Sequence, residues 1–132
     1  EWAASLLGRP FTLLGTVVKG AGIGRELGYP TANLDVHNEL LPRDGVYATR
    51  VWVDGSSFKS VTSVGRRETI EDLDRHPRVV EVYIIGEDME LYEEDIEVQF
   101  ISWLRAQEKF RTTKKLEKMI QKDVSRVEKI LS

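Results

Sequence analysis

A six-stranded antiparallel barrel of Greek-key type, mainly β and with one C-terminal α-helix packed outside it, is the fold class this sequence predicts. Three observations carry it. Up to residue 104 the chain is a succession of short runs rich in β-branched and aromatic residues, punctuated by glycine, proline and Asp-Gly. One long run alternates and turns at Asp54-Gly55, a dipeptide suited to a two-residue hairpin because its positions need φ > 0. After residue 112 the period changes: Leu116, Ile120, Val124, Val127 and Leu131 recur at spacings of 4, 4, 3 and 4, a helical stripe. Strands of this number and length close on one another because closure removes vulnerable edges.

Taken in order, Phe11 to Val18 predicts the first strand, ending in a glycine-rich loop. Tyr29 to Leu34 is extended, since Pro30 biases the residue before it away from helix. Gly45 to Val53 sets Val46, Ala48, Arg50 and Trp52 against Tyr47, Thr49, Val51 and Val53, and Asp54-Gly55 returns the chain into Ser56 to Val64. Val79 to Ile85 predicts a fifth strand, Gly86 to Glu90 a turn, and Asp95 to Leu104 a sixth strand. Thr112 or Thr113 caps the helix that follows, near 113–131. A short helix is expected from about Glu1 to Leu7. No repeat, linker or low-complexity tract divides the 132 residues, so they read as one domain around one core.

Composition excludes several function classes. Cysteine is absent, and His37 and His76 are too far apart for a His-x-x-x-His site, which argues against zinc. A net charge of −3 argues against a nucleic-acid partner, and the strands supply no basic aromatic surface for an RNA-binding barrel. No apolar stretch approaches the roughly 20 residues of a membrane span, and the first residues lack the layout of a signal peptide. The expectation is a soluble, cytoplasmic protein. Residues 68–99 carry twelve acidic side chains against Arg75 and Arg78, whereas 105–129 carry nine basic against four acidic; solvated faces explain most of this.

The most informative stretch runs from Gly20 to Leu34. Gly20, Gly22 and Gly24 stand on alternate positions and Arg25 follows at once. Glycines let successive N–H groups converge on an anion, and a guanidinium suits phosphate. Thr31 and Asn33 lie two apart, so an extended chain turns both to one face. A hydroxyl and an amide oxygen are hard ligands that Mg²⁺ accepts alongside phosphates and water. Two readings stand: a Mg-nucleotide site, or a glycine-rich hairpin loop. The spacing matches neither the dinucleotide-binding G-x-G-x-x-G nor the P-loop. Glu81 is the second candidate, a lone carboxylate in Val79-Val80-Glu81-Val82-Tyr83-Ile84-Ile85. Apolar surroundings raise the proton affinity of a carboxylate and make it a usable base; a solvent-facing strand position is the other reading.

Gly15-x-Val17, Gly24-Arg25-x-Leu27-Gly28-x-Pro30-Thr31-Ala32-Asn33-Leu34, Leu41-Pro42, Gly45-Val46-Tyr47-Ala48, Ser63-Val64-Gly65, Val80-Glu81 and Leu91-Tyr92 together resemble the riboflavin kinase family. Leu104-Arg105 with Glu108-Lys109-Phe110, Leu116, and Ile120 with Asp123 extend the resemblance over nearly the whole chain. It is similar to the C-terminal kinase module of bifunctional bacterial FAD synthetases, without the adenylyltransferase half, which implies that residues 1–7 are a remnant of the junction to that absent domain. The resemblance further implies transfer of the terminal phosphate of ATP to the ribityl hydroxyl of riboflavin, giving FMN. It implies Glu81 as the base, Thr31 and Asn33 on Mg²⁺, and the loop from Gly20 to Arg25 on the phosphates. The flavin would lie against residues 102–110 and the following helix, with Arg105 and Glu108 as its contacts and Trp103 and Phe110 in the core. The chain departs from the family at Glu68, where proline is usual, and at Glu93, where glycine is usual. A barrel that binds flavin or nucleotide without turnover is the alternative these departures leave.

Overall fold

The computed structural model describes residues 11–18, 31–37, 41–65, 79–87, 91–108 and 110–132. Within them lie six strands and one helix: β1 (Phe11–Val18), β2 (Ala32–Val36), β3 (Gly45–Val53), β4 (Ser56–Gly65), β5 (Val79–Ile84), β6 (Asp95–Arg105) and α1 (Thr113–Ile130). All neighbouring strands are antiparallel, and they close in the order β1-β2-β5-β4-β3-β6. The predicted barrel is therefore observed. Five of its six strands lie within a residue of their expected limits. The second begins at Ala32 rather than Tyr29 and ends two residues later than expected; Tyr29 and Pro30 lie outside the described residues, as does the expected helix from Glu1 to Leu7.

Alternation sorts the strands into two faces. Inward go Leu13, Val17, Leu34, Tyr47, Val51, Val64, Val80, Val82, Ile96, Val98 and Phe100, all buried in one cluster. The buried hydroxyl of Thr49 also lies inside, 2.7 Å from both Ser60 Oγ and Thr62 Oγ1, so these polar groups satisfy one another. Outward, Val46, Ala48, Val61 and Leu104 form a second cluster with Val127 of α1. The helix covers β3 and β4 there, as its apolar stripe predicts. Thr112 is its N-cap and accepts a hydrogen bond from Lys115 N at 3.2 Å.

One polar residue interrupts the buried stripe. Asp123 is 2% exposed, and its carboxylate accepts from Arg105 Nε at 3.0 Å and from Arg105 Nη2 at 2.9 Å. Arg126 adds a bond from Nη1 to Leu104 O at 2.7 Å. Helix and strand are thus joined by a planar two-point clamp as well as by apolar burial.

Tight turns at Asp54-Gly55 and at Glu93 use the left-handed region. Asp54 and Gly55 have φ of 49° and 83°, the conformation the Asp-Gly pair predicts. Glu93 has φ of 69°, which explains the glycine usual in the resembling family. The turn is nonetheless formed, with Glu93 N bonded to Val17 O at 2.9 Å and Val17 N to Glu94 O at 2.9 Å. A non-glycine residue in this region costs roughly 1–2 kcal/mol, part of which glycine returns through its greater freedom when unfolded. Glu93→Gly should therefore stabilise the fold by about 0.5–1 kcal/mol, read as a raised midpoint in urea; an unchanged or lowered midpoint would contradict this reading of the turn.

Candidate active site

Cross-strand register assembles the site. Asn33 of β2 lies opposite Glu81 of β5, and Glu81 lies opposite Ser63 of β4. Opposed residues share a face, and here it is the outer one, because Leu34, Val80, Val82 and Val64 point inward. Thr31, two positions before Asn33, falls on the same face and donates from Oγ1 to Glu81 Oε2 at 3.2 Å. The expected convergence of Thr31 with Asn33 therefore also includes Glu81, fifty positions away from Thr31.

Asn33 is 6% exposed although it lies on the outer face, and its Oδ1 has no hydrogen-bond partner among the described residues. A buried acceptor left without a donor costs roughly 1–3 kcal/mol, so such an atom marks a place where something else completes the shell. A cation fits: Asn33 Oδ1 offers free lone pairs, and the Thr31 oxygen keeps its own while its proton serves Glu81. Glu81 is half-buried on this outer face. Gly20, Gly22, Gly24 and Arg25 lie outside the described residues, as does Glu68.

The next strands carry the site towards the helix. Val46, opposite Ser63, is opposite Arg105 on its other side. Gln107 Nε2 donates to Ser63 Oγ at 2.7 Å. Its amide lies against Gly65, where any Cβ would collide with it and, at 2.9 Å, with the Asp44 carboxyl carbon. Arg105 is committed to Asp123, and its Nη1 also donates to Ala106 O at 3.1 Å. Glu108 is exposed and lines a groove of about 450 Å³ with Phe110, Arg111, Lys115, Lys118, Met119 and Lys122. Four cations face one carboxylate there, so the groove favours an anion beside an aromatic ring. Phe110 thus lines a groove rather than the core, whereas Trp103 packs on the core edge-on to Tyr47 at 5.6 Å, beneath the Arg43 guanidinium.

Ser63 and Gln107 are site residues that sequence reasoning missed. Ser63 stood inside a family-like run, but nothing local links it to Glu81; that link exists only through register. Chemically, the row offers a carboxylate able to accept a proton, two neutral oxygens able to hold a hard cation, and a hydroxyl fixed by an amide.

A family model described as flavokinase, riboflavin kinase, matches residues 7–131. The bifunctional riboflavin kinase/FMN adenylyltransferase of Haemophilus influenzae is 36% identical over 125 residues, covering 94% of this chain and 40% of that protein. The chain thus spans about two fifths of the length of this curated relative. Among solved structures, one titled a macrolide-efflux protein from Streptococcus pneumoniae superposes with a TM-score of 0.84 at 30% identity, over 96% of this chain and 41% of that one. No helix among the described residues is long and apolar enough to cross a membrane. The riboflavin kinase of Trypanosoma brucei superposes with a TM-score of 0.60 at 22% identity, over 92% of this chain and 80% of that one, a likeness of fold.

Proposed function

The chain belongs to the riboflavin kinase family, and we propose on that premise that it moves the terminal phosphate of ATP to the primary ribityl hydroxyl of riboflavin, giving FMN and ADP. The observation that carries this reading is the convergence of Thr31, Asn33 and Glu81 on one face, with a buried, unpartnered Asn33 Oδ1 beside the carboxylate.

Glu81 holds the attacking hydroxyl and takes its proton as the new O–P bond forms and the bond to the ADP oxygen breaks. The Thr31 hydroxyl donates to one oxygen of the Glu81 carboxylate and so fixes how the base is turned. Thr31 and Asn33 would hold Mg²⁺, which when bound neutralises and orients the phosphates of ATP. Gly20, Gly22, Gly24 and Arg25 would wrap those phosphates. Phosphoryl transfer needs positioning and electrostatics more than covalent chemistry, so this small set is sufficient. The flavin ring would lie along residues 105–110, with Glu108 at its edge and Arg105 holding the segment through Asp123. The Gln107–Ser63 bond brings that segment next to Glu81, so base and flavin site are neighbours. We assign this chemistry to the cytoplasm. FMN adenylyltransferase, the second activity in the relatives' name, would consume the product as a partner domain.

Incubating the protein with riboflavin, ATP and Mg²⁺ should yield FMN, resolved from riboflavin by chromatography, and EDTA should stop it. Riboflavin binding without FMN formation would instead support the non-catalytic alternative. Asn33→Ala should lower Mg-nucleotide affinity and turnover together by about 10–100-fold, the scale of losing one contact to a charged group. Its melting temperature is read on the same sample: Oδ1 has no hydrogen bond to lose, so a large drop in melting would mark lost packing rather than a lost metal contact. Full activity in this variant would remove Asn33 from the metal site.

A further inference from the structure

Across the barrel's outer face the row that contains Glu81 reads Val18, Asn33, Glu81, Ser63, Val46. Three polar side chains stand between two valines. Asn33 and Glu81 have roles above; Ser63 has none, yet it too is held in place. Gln107 Nε2 donates to its oxygen at 2.7 Å, and Gln107 is seated by Gly65, whose φ of +133° and lack of Cβ leave room for the amide. A serine hydroxyl has one proton and two lone pairs. With an amide N–H on its oxygen, the hydroxyl is set to donate its proton elsewhere.

We infer that Ser63 is a specificity-determining residue that donates a hydrogen bond to the secondary ribityl hydroxyl adjacent to the one that reacts. The inference rests on the proposed role of Glu81. Directly opposed residues on paired strands have Cβ atoms about 4.5–5.5 Å apart. A base on one and a donor on the other therefore suit two hydroxyls on neighbouring carbons of one chain. Glu81 takes the terminal hydroxyl; Ser63 holds the next and stops the chain from sliding by one carbon. Gln107 orients Ser63 from the segment assigned to the flavin ring, so ring and chain are gripped by connected groups. The substrate class selected is a flat ring carrying a polyhydroxylated chain, rather than any primary alcohol.

The test is a protein-by-ligand cycle. Riboflavin and its analogue lacking that secondary hydroxyl are titrated by flavin fluorescence against wild type, Ser63→Ala and Ser63→Thr, with FMN formation measured on the same samples. Ser63→Ala should bind riboflavin about threefold to tenfold more weakly, the worth of one neutral hydrogen bond. Wild type should lose the same factor on the analogue, and Ser63→Ala should lose nothing further on it. Ser63→Thr, which keeps the hydroxyl, should bind like wild type. Equal losses by Ser63→Ala on both ligands would overturn the inference, because the serine would then act on Glu81 or on the fold. Riboflavin binding within twofold of wild type in Ser63→Ala would overturn it as well. If wild type binds riboflavin but makes no FMN, the kinase reading fails while the binding cycle still judges Ser63.

Discussion

Glu81→Gln is expected to cut FMN formation by about 10²–10⁴-fold, the contribution of a positioned general base, while leaving riboflavin affinity within a few-fold. Glutamine keeps the shape and one acceptor oxygen, so Thr31 Oγ1 retains a partner at the 3.2 Å position it now uses. What it loses is the ability to take a proton. Three measurements on one preparation separate the cases: thermal melting, flavin-fluorescence titration and an FMN assay. If turnover, affinity and melting fell together, Glu81 would be a structural carboxylate. If turnover stayed within a factor of a few, the chain would need another base.

A large loss of stability is expected at the clamp between strand and helix. Asp123 is 3% exposed and Arg105 12% on their side chains, with Nη2 and Oδ2 2.9 Å apart. Removing one partner of a buried ion pair leaves an uncompensated charge and costs about 3–5 kcal/mol. Asp123→Ala should therefore lower the melting temperature by roughly 10–20 °C, given the entropy of unfolding of a domain this size. The double variant Arg105→Met with Asp123→Leu should recover much of the loss, because a well-packed apolar pair of similar volume is often neutral against a buried ion pair. A single variant that melts within about 2 °C of wild type would show that the pair contributes little, as exposed pairs do. If Arg105 touches flavin as well, the double variant will be stable and bind riboflavin weakly.

Sequence and structure part company where interactions are long-range. The barrel was legible because alternation, Asp54-Gly55 and the helical period are local signals, and each operates within a few residues. Thr31 and Asn33 were legible as a pair for the same reason. Glu81 was visible as an anomaly in an apolar strand, but its bond to Thr31 was not, because the strand pairing that makes it joins residues fifty positions apart. Ser63 and Gln107, forty-four apart, gave no local sign of their bond. Arg105 was singled out for flavin, and its geometry adds a structural partner in Asp123. That partner sits between Ile120 and Val127 in the helical stripe, where a carboxylate reads as an interruption rather than as half of an ion pair.

The way the barrel closes bears on how the protein comes into being. Asn33, Glu81 and Ser63 are neighbours only because β2 pairs with β5 and β5 with β4, and β2 and β5 are far apart along the chain. Non-local pairings of this kind fold slowly, since loop entropy is lost before contacts repay it. The hairpin of β3 and β4 needs only its own two-residue turn, and α1 needs only local bonds. Neither contains both Asn33 and Glu81. A refolding chain therefore has helix and hairpin available early, whereas Asn33 and Glu81, the proposed metal ligand and base, meet only once β2 pairs with β5. The candidate site is thus a property of the closed ring, which neither the hairpin nor the helix can assemble alone.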